Sequence, residues 1–269
     1  LDYPSTGWSW DDFLAAAQAL TVDENDDGLI DQYGHVFYGR YANIESWVYQ
    51  NGGRWLNSDK TEFAPTDSAI DAVMFLDSLI DEHGVAPTPA EMEGLGKPFL
   101  AGLSAMWVDG AWYFDDAREA GINFGIGPVP RGPLADGDTA YGWSDMTAVG
   151  ATTEHPDEAW ALVECLTGPN RTVDLVQAGK IPVYRSVAMS DEWLELDQLP
   201  ANKAFLLEWA DNIGPTSFTP GWGEWRGYTG GAGLQGTLDE AFNGNMTIEE
   251  AVAAAGEVAS EVLDRYYGD

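Results

Sequence analysis

The chain is poor in several things, and each shortage argues against a class of function. Its 269 residues include one cysteine, Cys165. No disulfide can form within the chain, and the helical run AWALVECL around Cys165 predicts a buried structural thiol. Basic residues number 12 against 45 acidic ones, for a formal net charge of −33. Nucleic acid and anionic membrane surfaces are therefore poor partners, because both are recognised through basic patches. No apolar run approaches the length of a transmembrane helix. The three histidines, His35, His83 and His155, are scattered, and no H-E-x-x-H, G-x-S-x-G or Walker A motif occurs. Acid pairs abound by composition alone, so counting leaves a glycosidase-like pair open. No initiator Met, signal peptide or lipid-attachment cysteine opens the sequence, which reads as beginning mid-protein.

What is abundant is acid and aromatic surface. The acidic residues are dispersed in ones and twos through ordinary helical patterns, which predicts an acidic folded surface and not a disordered tail. Concentrated salt would screen the self-repulsion of such a surface, so a halophilic setting is expected. There are 12 Trp, 11 Tyr and 10 Phe, several in polar, Gly-rich loops. Sugar rings present apolar C–H faces that stack on aromatic planes, while their hydroxyls need polar partners.

Local signals predict an α/β fold that is helix-rich with a modest sheet. Ser9 and Asp12 form a capping box for a helix with Phe13, Leu14, Ala17 and Leu20 on one stripe. Further helices are expected from Thr66 or Asp67 to Gly84, from Pro156 to Gly168, and from Asn202 to Ala210. A last helix is capped by Thr247 and Glu250. Residues 214–233 form a Gly/Pro/Trp-rich loop. An amphipathic helix leads into a strand at Ser104–Val108, a second strand is expected at Phe124–Ile126, and a buried strand within 140–151. The Gly-Gly turn of NGGRW should open a solvent-facing strand. Trp160 and Trp209 read as helix packing, and Trp8 and Trp10 as helix-entry packing. Asn170-Arg171-Thr172 and Asn245-Met246-Thr247 match a glycosylation pattern.

The segment KPFLAGLSAMWVDGAWYFDDAREAGINFGIGPVPRGP resembles the "GKaAMwvdG-W…fgiaPlP-GP" core of extracellular solute-binding proteins of sugar ABC importers. GWSWDDFLAAAQALTVDENDDGLIDQYGHVFYG and YGWSDMTAVGATTEHPDEAWALVECLTGP resemble that family's segments entering its second lobe and returning to its first. PTSFTPGWGEW and the final helix resemble its C-terminal pattern, whereas its opening βαβ units have no counterpart here. The resemblance implies a periplasmic-binding-protein-like (type II) two-lobe fold. Lobe two would be 1–136 and 189–269, and the returning part of lobe one 137–188.

The resemblance also implies site residues. Trp112 falls at the family's sugar-stacking position and Trp143 at a ligand-facing one. Trp222 and Trp225 flank Glu224 in the late loop, where at least one indole is expected to face ligand. By analogy with trehalose/maltose-type relatives, Arg40, Tyr41 and Glu45 supply polar contacts, with Asp109 and Asp145 accepting from hydroxyls. Asp23, Asn25, Asp27, Leu29 and Asp31 match a Ca²⁺-binding loop, although Gly34 stands where a full EF-hand has its bidentate Glu. The same loop reads equally well as an Asx-rich turn.

The function implied is non-catalytic: a monomeric extracellular or periplasmic receptor, anchored to the membrane through a segment outside this sequence. It would bind a sugar or oligosaccharide between lobes and deliver it to ABC permease subunits. A glycoside hydrolase, or a carbohydrate-binding surface module without a transport role, is the alternative.

Overall fold

The structure, a computed structural model, describes residues 3–168, 180–195, 197–214, 216–228 and 232–268. The Asn170 sequon and Pro169 lie outside the described residues. In chain order the elements are α1 (Trp10–Leu20), β1 (Tyr33–Val36), α2 (Tyr41–Gln50), α3 (Asp67–Asp81), α4 (Pro89–Met92) and β2 (Ser104–Trp107). There follow α5 (Phe114–Glu119), α6 (Pro156–Thr167), α7 (Arg185–Ala188), α8 (Asp191–Leu194) and α9 (Phe205–Ala210). The last three are α10 (Trp222–Trp225), α11 (Leu234–Phe242) and α12 (Ile248–Tyr267).

The chain divides into two compact units, the first comprising Leu1–Asp109, Pro128–Tyr141 and Asn212–Asp269, the second Gly110–Gly127 and Gly142–Asp211. These boundaries differ from the expected ones. Residues 110–127 and 189–211 fall in one unit with 142–188: their polar groups are spent largely on each other, and the Trp193 indole donates to the Lys180 carbonyl at 3.0 Å. Asn202 donates to the Ile126 carbonyl at 2.6 Å and accepts from its N–H at 3.1 Å. Arg118 of α5 reaches Glu195 at 2.8 Å and the Leu199 carbonyl at 2.6 Å.

The first unit holds the main core. Both predicted capping boxes form, Ser9 with Asp12 on α1 and Thr247 with Glu250 on α12. Each satisfies helix N-terminal N–H groups that have no partner within the helix. Beyond its cap, α12 buries Ala251, Val252, Ala255, Ala259, Val262 and Leu263. It packs on α11 and α3, while α2 packs on α3 and α1 on β1. At the centre Phe13 stands edge-on to Trp47 at 4.8 Å and to His35 at 5.1 Å. Trp10 stacks on Phe75 at 4.3 Å, and the Trp8 indole donates to the Pro128 carbonyl at 2.9 Å, as helix-entry packing predicts. β1 and β2 are parallel, His35 opposite Met106.

Several local expectations are corrected. The helix before β2 is a single turn, closed by Ala101 to the Lys97 carbonyl and Leu103 to that of Pro98. Trp55 and Leu56 are buried and not solvent-facing, and Leu56 makes one antiparallel bridge to Phe63. Neither Phe124–Ile126 nor 143–150 forms a strand. Ile126 instead takes its backbone partners from the Asn202 side chain, which imitates a neighbouring strand. Residues 143–150 are exposed. On α6 no residue is buried, Trp160 is exposed, and Cys165 is an exposed free thiol. The amphipathic pattern of α6 was read correctly as helix, but within this chain nothing covers its apolar side among the described residues.

Candidate functional site

The first unit carries an aromatic face built from two segments. The α2 segment begins where Gly39 passes so close to α11 that an added Cβ would lie 2.3 Å from the Gln235 carbonyl oxygen. Only glycine permits that approach. The Gly39 N–H donates to Asp239 Oδ1 at 2.6 Å. Arg40 follows in extended conformation, and Tyr41 opens the helix. The second segment is α10 and the turn after it, carrying Trp222 and Tyr228. Tyr41 meets Trp222 edge-to-face at 5.2 Å and 76° and Tyr228 at 5.4 Å and 73°. Trp222 lies 5.6 Å from Tyr228 and 4.8 Å from Phe218. Tyr141 approaches Tyr41 at 6.1 Å and Tyr49 at 5.6 Å.

Polar groups flank this face. Arg40 pairs with Asp109 at 3.1 Å while its guanidinium carbon sits 5.4 Å from the centre of the Tyr41 ring. Asn43 donates to the Val108 carbonyl at 2.9 Å and to Asp109 at 3.3 Å. Asp109, two residues past β2 and nearly buried, is thus fixed from two sides. Burial pushes the phenol pKa of Tyr41 up, so it stays a neutral donor at physiological pH.

Not every expected residue reaches this face. Glu45 is fully buried, accepting from the Trp55 indole at 2.7 Å and from Arg226 Nε at 2.8 Å. Trp225 is fully buried as well, its indole donating to Thr219 at 2.9 Å. Both sit beneath the face as supports, because their polar atoms are spent inside the protein. Glu224 is exposed and accepts from Arg265 at 2.5 Å. Arg40, Tyr41, Asp109 and Trp222 are brought together. Sequence reasoning missed Tyr228, Asn43 and Arg226. The signal was present for the first and last, since both lie in the aromatic, Gly-rich stretch already singled out.

The second unit carries a smaller aromatic pair. Trp112 sits in a 3-10 turn, Ala111–Tyr113, its ring folded so close to Gly110 that a Cβ there would lie 2.2 Å from it. Trp143 lies 5.7 Å away at 46°. Its indole donates to Asp145 at 3.2 Å, and Asp145 is paired with Lys180. That hydrogen bond from Lys180 holds the Asp145 carboxyl below its usual pKa.

The loop expected to bind Ca²⁺ is closed on itself. Asp23 accepts from Asp27 and Gly28 N–H, Asn25 from Asp27 N–H, Asp27 from Leu29 N–H and Asp31 from Glu24 N–H. The Asn25 and Asp27 bonds are Asx turns, and all five turn side-chain oxygens onto the backbone. Among the described residues no group of three or more His, Cys, Asp or Glu is placed to hold a metal ion. The Asx-turn reading accounts for the loop, and the Ca²⁺ reading finds no support.

Comparison with known proteins decides the family. The model of the bacterial extracellular solute-binding proteins matches residues 1–170. The chain belongs to this family. It is 27% identical over 209 residues to a maltotriose-binding protein of Pyrococcus abyssi, an alignment covering 72% of this chain. The alignment covers 42% of that relative, so the chain matches less than half of its length. Among solved structures, the maltose/maltodextrin-binding domain MalE of Bdellovibrio bacteriovorus, bound to maltotriose, superposes with a TM-score of 0.73 at 20% identity. It covers 97% of this chain, which in turn covers 67% of it. An ABC substrate-binding protein of Listeria monocytogenes in complex with cycloalternan gives 0.75 at 18% identity, covering 100% of this chain and 66% of its own. The fold is therefore the periplasmic-binding-protein-like α/β fold.

Proposed function

We propose that this solute-binding family member is the ligand-recognising part of an extracellular or periplasmic receptor for a sugar or oligosaccharide, which it hands to an ABC permease in the membrane. The observation that carries the reading is the Tyr41–Trp222–Tyr228 face flanked by Arg40, Asn43 and Asp109. Tyr228 is the exposed ring of this face and Tyr41 is largely buried. The face thus offers aromatic surface to sugar C–H groups and the part-exposed Arg40 to hydroxyls. Buried Asn43 fixes Asp109, and Asp109 holds Arg40. Trp112 and Trp143, with Asp145, supply a second aromatic surface on the other unit. Maltotriose and related glucose oligosaccharides are the first ligands to test, since the Pyrococcus and Bdellovibrio relatives carry that sugar in their names. No covalent step is assigned to the site: recognition is by stacking and hydrogen bonding, and the ligand leaves unchanged. The net charge of −33 supports operation in concentrated salt.

Among the described residues no helix is long and apolar enough to cross a membrane. Titration calorimetry against a panel of oligosaccharides, with chromatography of the recovered ligand, tests the proposal. Saturable binding with intact sugar recovered is expected. Cleavage of the sugar would replace the receptor reading with the hydrolase one. Raising KCl from dilute to molar should raise the thermal midpoint, and a fall would remove the salt-adapted part of the reading.

A further inference from the structure

Two four-residue spacings run side by side from the aromatic face into the core. Tyr41 and Glu45 are four apart on α2, and Trp222 and Arg226 are four apart across α10 and its C-cap. Residues so spaced share a helical face. The upper rung, Tyr41 against Trp222, is the aromatic contact at 5.2 Å. The lower rung, Glu45 against Arg226, is a fully buried ion pair at 2.8 Å. Arg226 also donates through Nη1 to the Gly39 carbonyl at 3.0 Å, and Gly39 in turn donates to Asp239 at 2.6 Å. Glu45 is held on its other oxygen by the Trp55 indole. Arg226 therefore grips both the helix bearing Tyr41 and the residue just before Arg40.

A buried ion pair loses about as much hydration as it gains in attraction, so its presence calls for something other than net stability. We infer that Glu45 and Arg226 are positioning residues: the pair sets the spacing and tilt of Tyr41 against Trp222, and with it the width of the aromatic face offered to a sugar ring. Neither residue needs to touch the ligand. The inference rests on the receptor reading for its consequence, but its geometry stands apart from that reading.

The test uses the full chain labelled with 5-fluorotryptophan, the Trp222 resonance being assigned by Trp222→Phe. The paired variant Glu45→Met/Arg226→Met removes both charges and keeps apolar volume. Its thermal midpoint is expected to fall by a few degrees, because the Trp55 indole and the Gly39 carbonyl lose their buried partners, while the Trp112 resonance stays in place. The Trp222 resonance should shift, and maltotriose affinity should fall by about tenfold or more, as expected when a preorganised face is loosened. An unmoved Trp222 line with parental affinity overturns the inference. If the paired variant does not fold, Arg226→Lys, which keeps the charge but loses the fork to Gly39, is read in the same two ways. If the parent itself does not bind maltotriose while the paired variant still shifts Trp222, the receptor reading for this sugar fails and the positioning role survives.

Discussion

The two units solve the same problem with different means. The first buries Trp47, Trp55, Trp225, Phe13, Phe37 and Phe242 in one core and lays its aromatic face over that core. The second has no strand among the described residues, leaves α6 uncovered, and is stapled by polar groups. There Glu195 accepts from Arg118 at 2.8 Å and from Lys203 at 2.5 Å, and Asn202 clamps Ile126. The ion pairs follow the same division. Glu45–Arg226 is wholly buried, whereas Asp145–Lys180 is more than half exposed. Pairs of one chemistry therefore have different worth, because water competes for one and not for the other.

The sharpest way to break this comparison is to halve each pair. Arg226→Met alone strands Glu45 without its charge partner and should cost about 3–5 kcal/mol in urea unfolding. A loss under about 1 kcal/mol would show that water reaches the pair.

Acid probes the same core. Burial lowers the pKa of His35 to about 4, while its Nδ1 lies 3.2 Å from the Met106 carbonyl. Between the unfolded value near 6.5 and about 4 the unfolded chain binds the extra proton, so stability falls as pH falls through this window. The loss should approach about 3 kcal/mol, measured as parent against His35→Gln across the pH range.

On the face itself, Tyr41→Ala and Trp222→Ala should each weaken oligosaccharide binding by about tenfold while Trp112→Ala acts on the other unit's pair. Calorimetry in which Tyr41 and Trp222 are silent and only Trp112 matters would move the principal site to the second unit. Asp77 responds to pH in the opposite sense. Burial, with Asp81 and Glu249 nearby, raises it to about 6, so the folded form binds the proton more tightly and stability falls as pH rises from about 4 to about 6. Because the group is half exposed, Asp77→Asn should stabilise by only about 1 kcal/mol at pH 7, and less at pH 4, by thermal unfolding. Smallest of all, Lys180→Met should change stability by about 0.5 kcal/mol or less.

Much of the first unit was legible locally. Capping boxes follow from neighbours a few residues apart and formed as expected, as did most of the apolar stripes of α1 and α12. Helix α3, by contrast, turns Ala69, Ala72, Val73, Leu76 and Leu79 inward and leaves Met74 exposed. The strands expected at 124–126 and within 140–151 did not form because a strand needs a partner, and pattern alone does not say whether one is present. Cys165 and Trp160 were misplaced for the same reason: a helix has an apolar side whether or not something packs on it.

In the site, sequence supplied the residue types and the family resemblance supplied Trp112, Trp143 and the Arg40–Tyr41 stretch. Glu45 and Trp225 looked like ligand contacts because a charged or aromatic residue in a site segment carries no mark of depth. Only the fold placed them under the face. By itself the sequence determined the net charge of −33, the shortage of basic residues, the capped helix starts and the family. Tertiary structure decided that Tyr41, Trp222 and Tyr228 share one face and that Arg226 is spent inward on Glu45 and Gly39. Helical caps and periodicity act over one or two turns, whereas contacts between positions 41 and 222 exist only after the chain between them has packed.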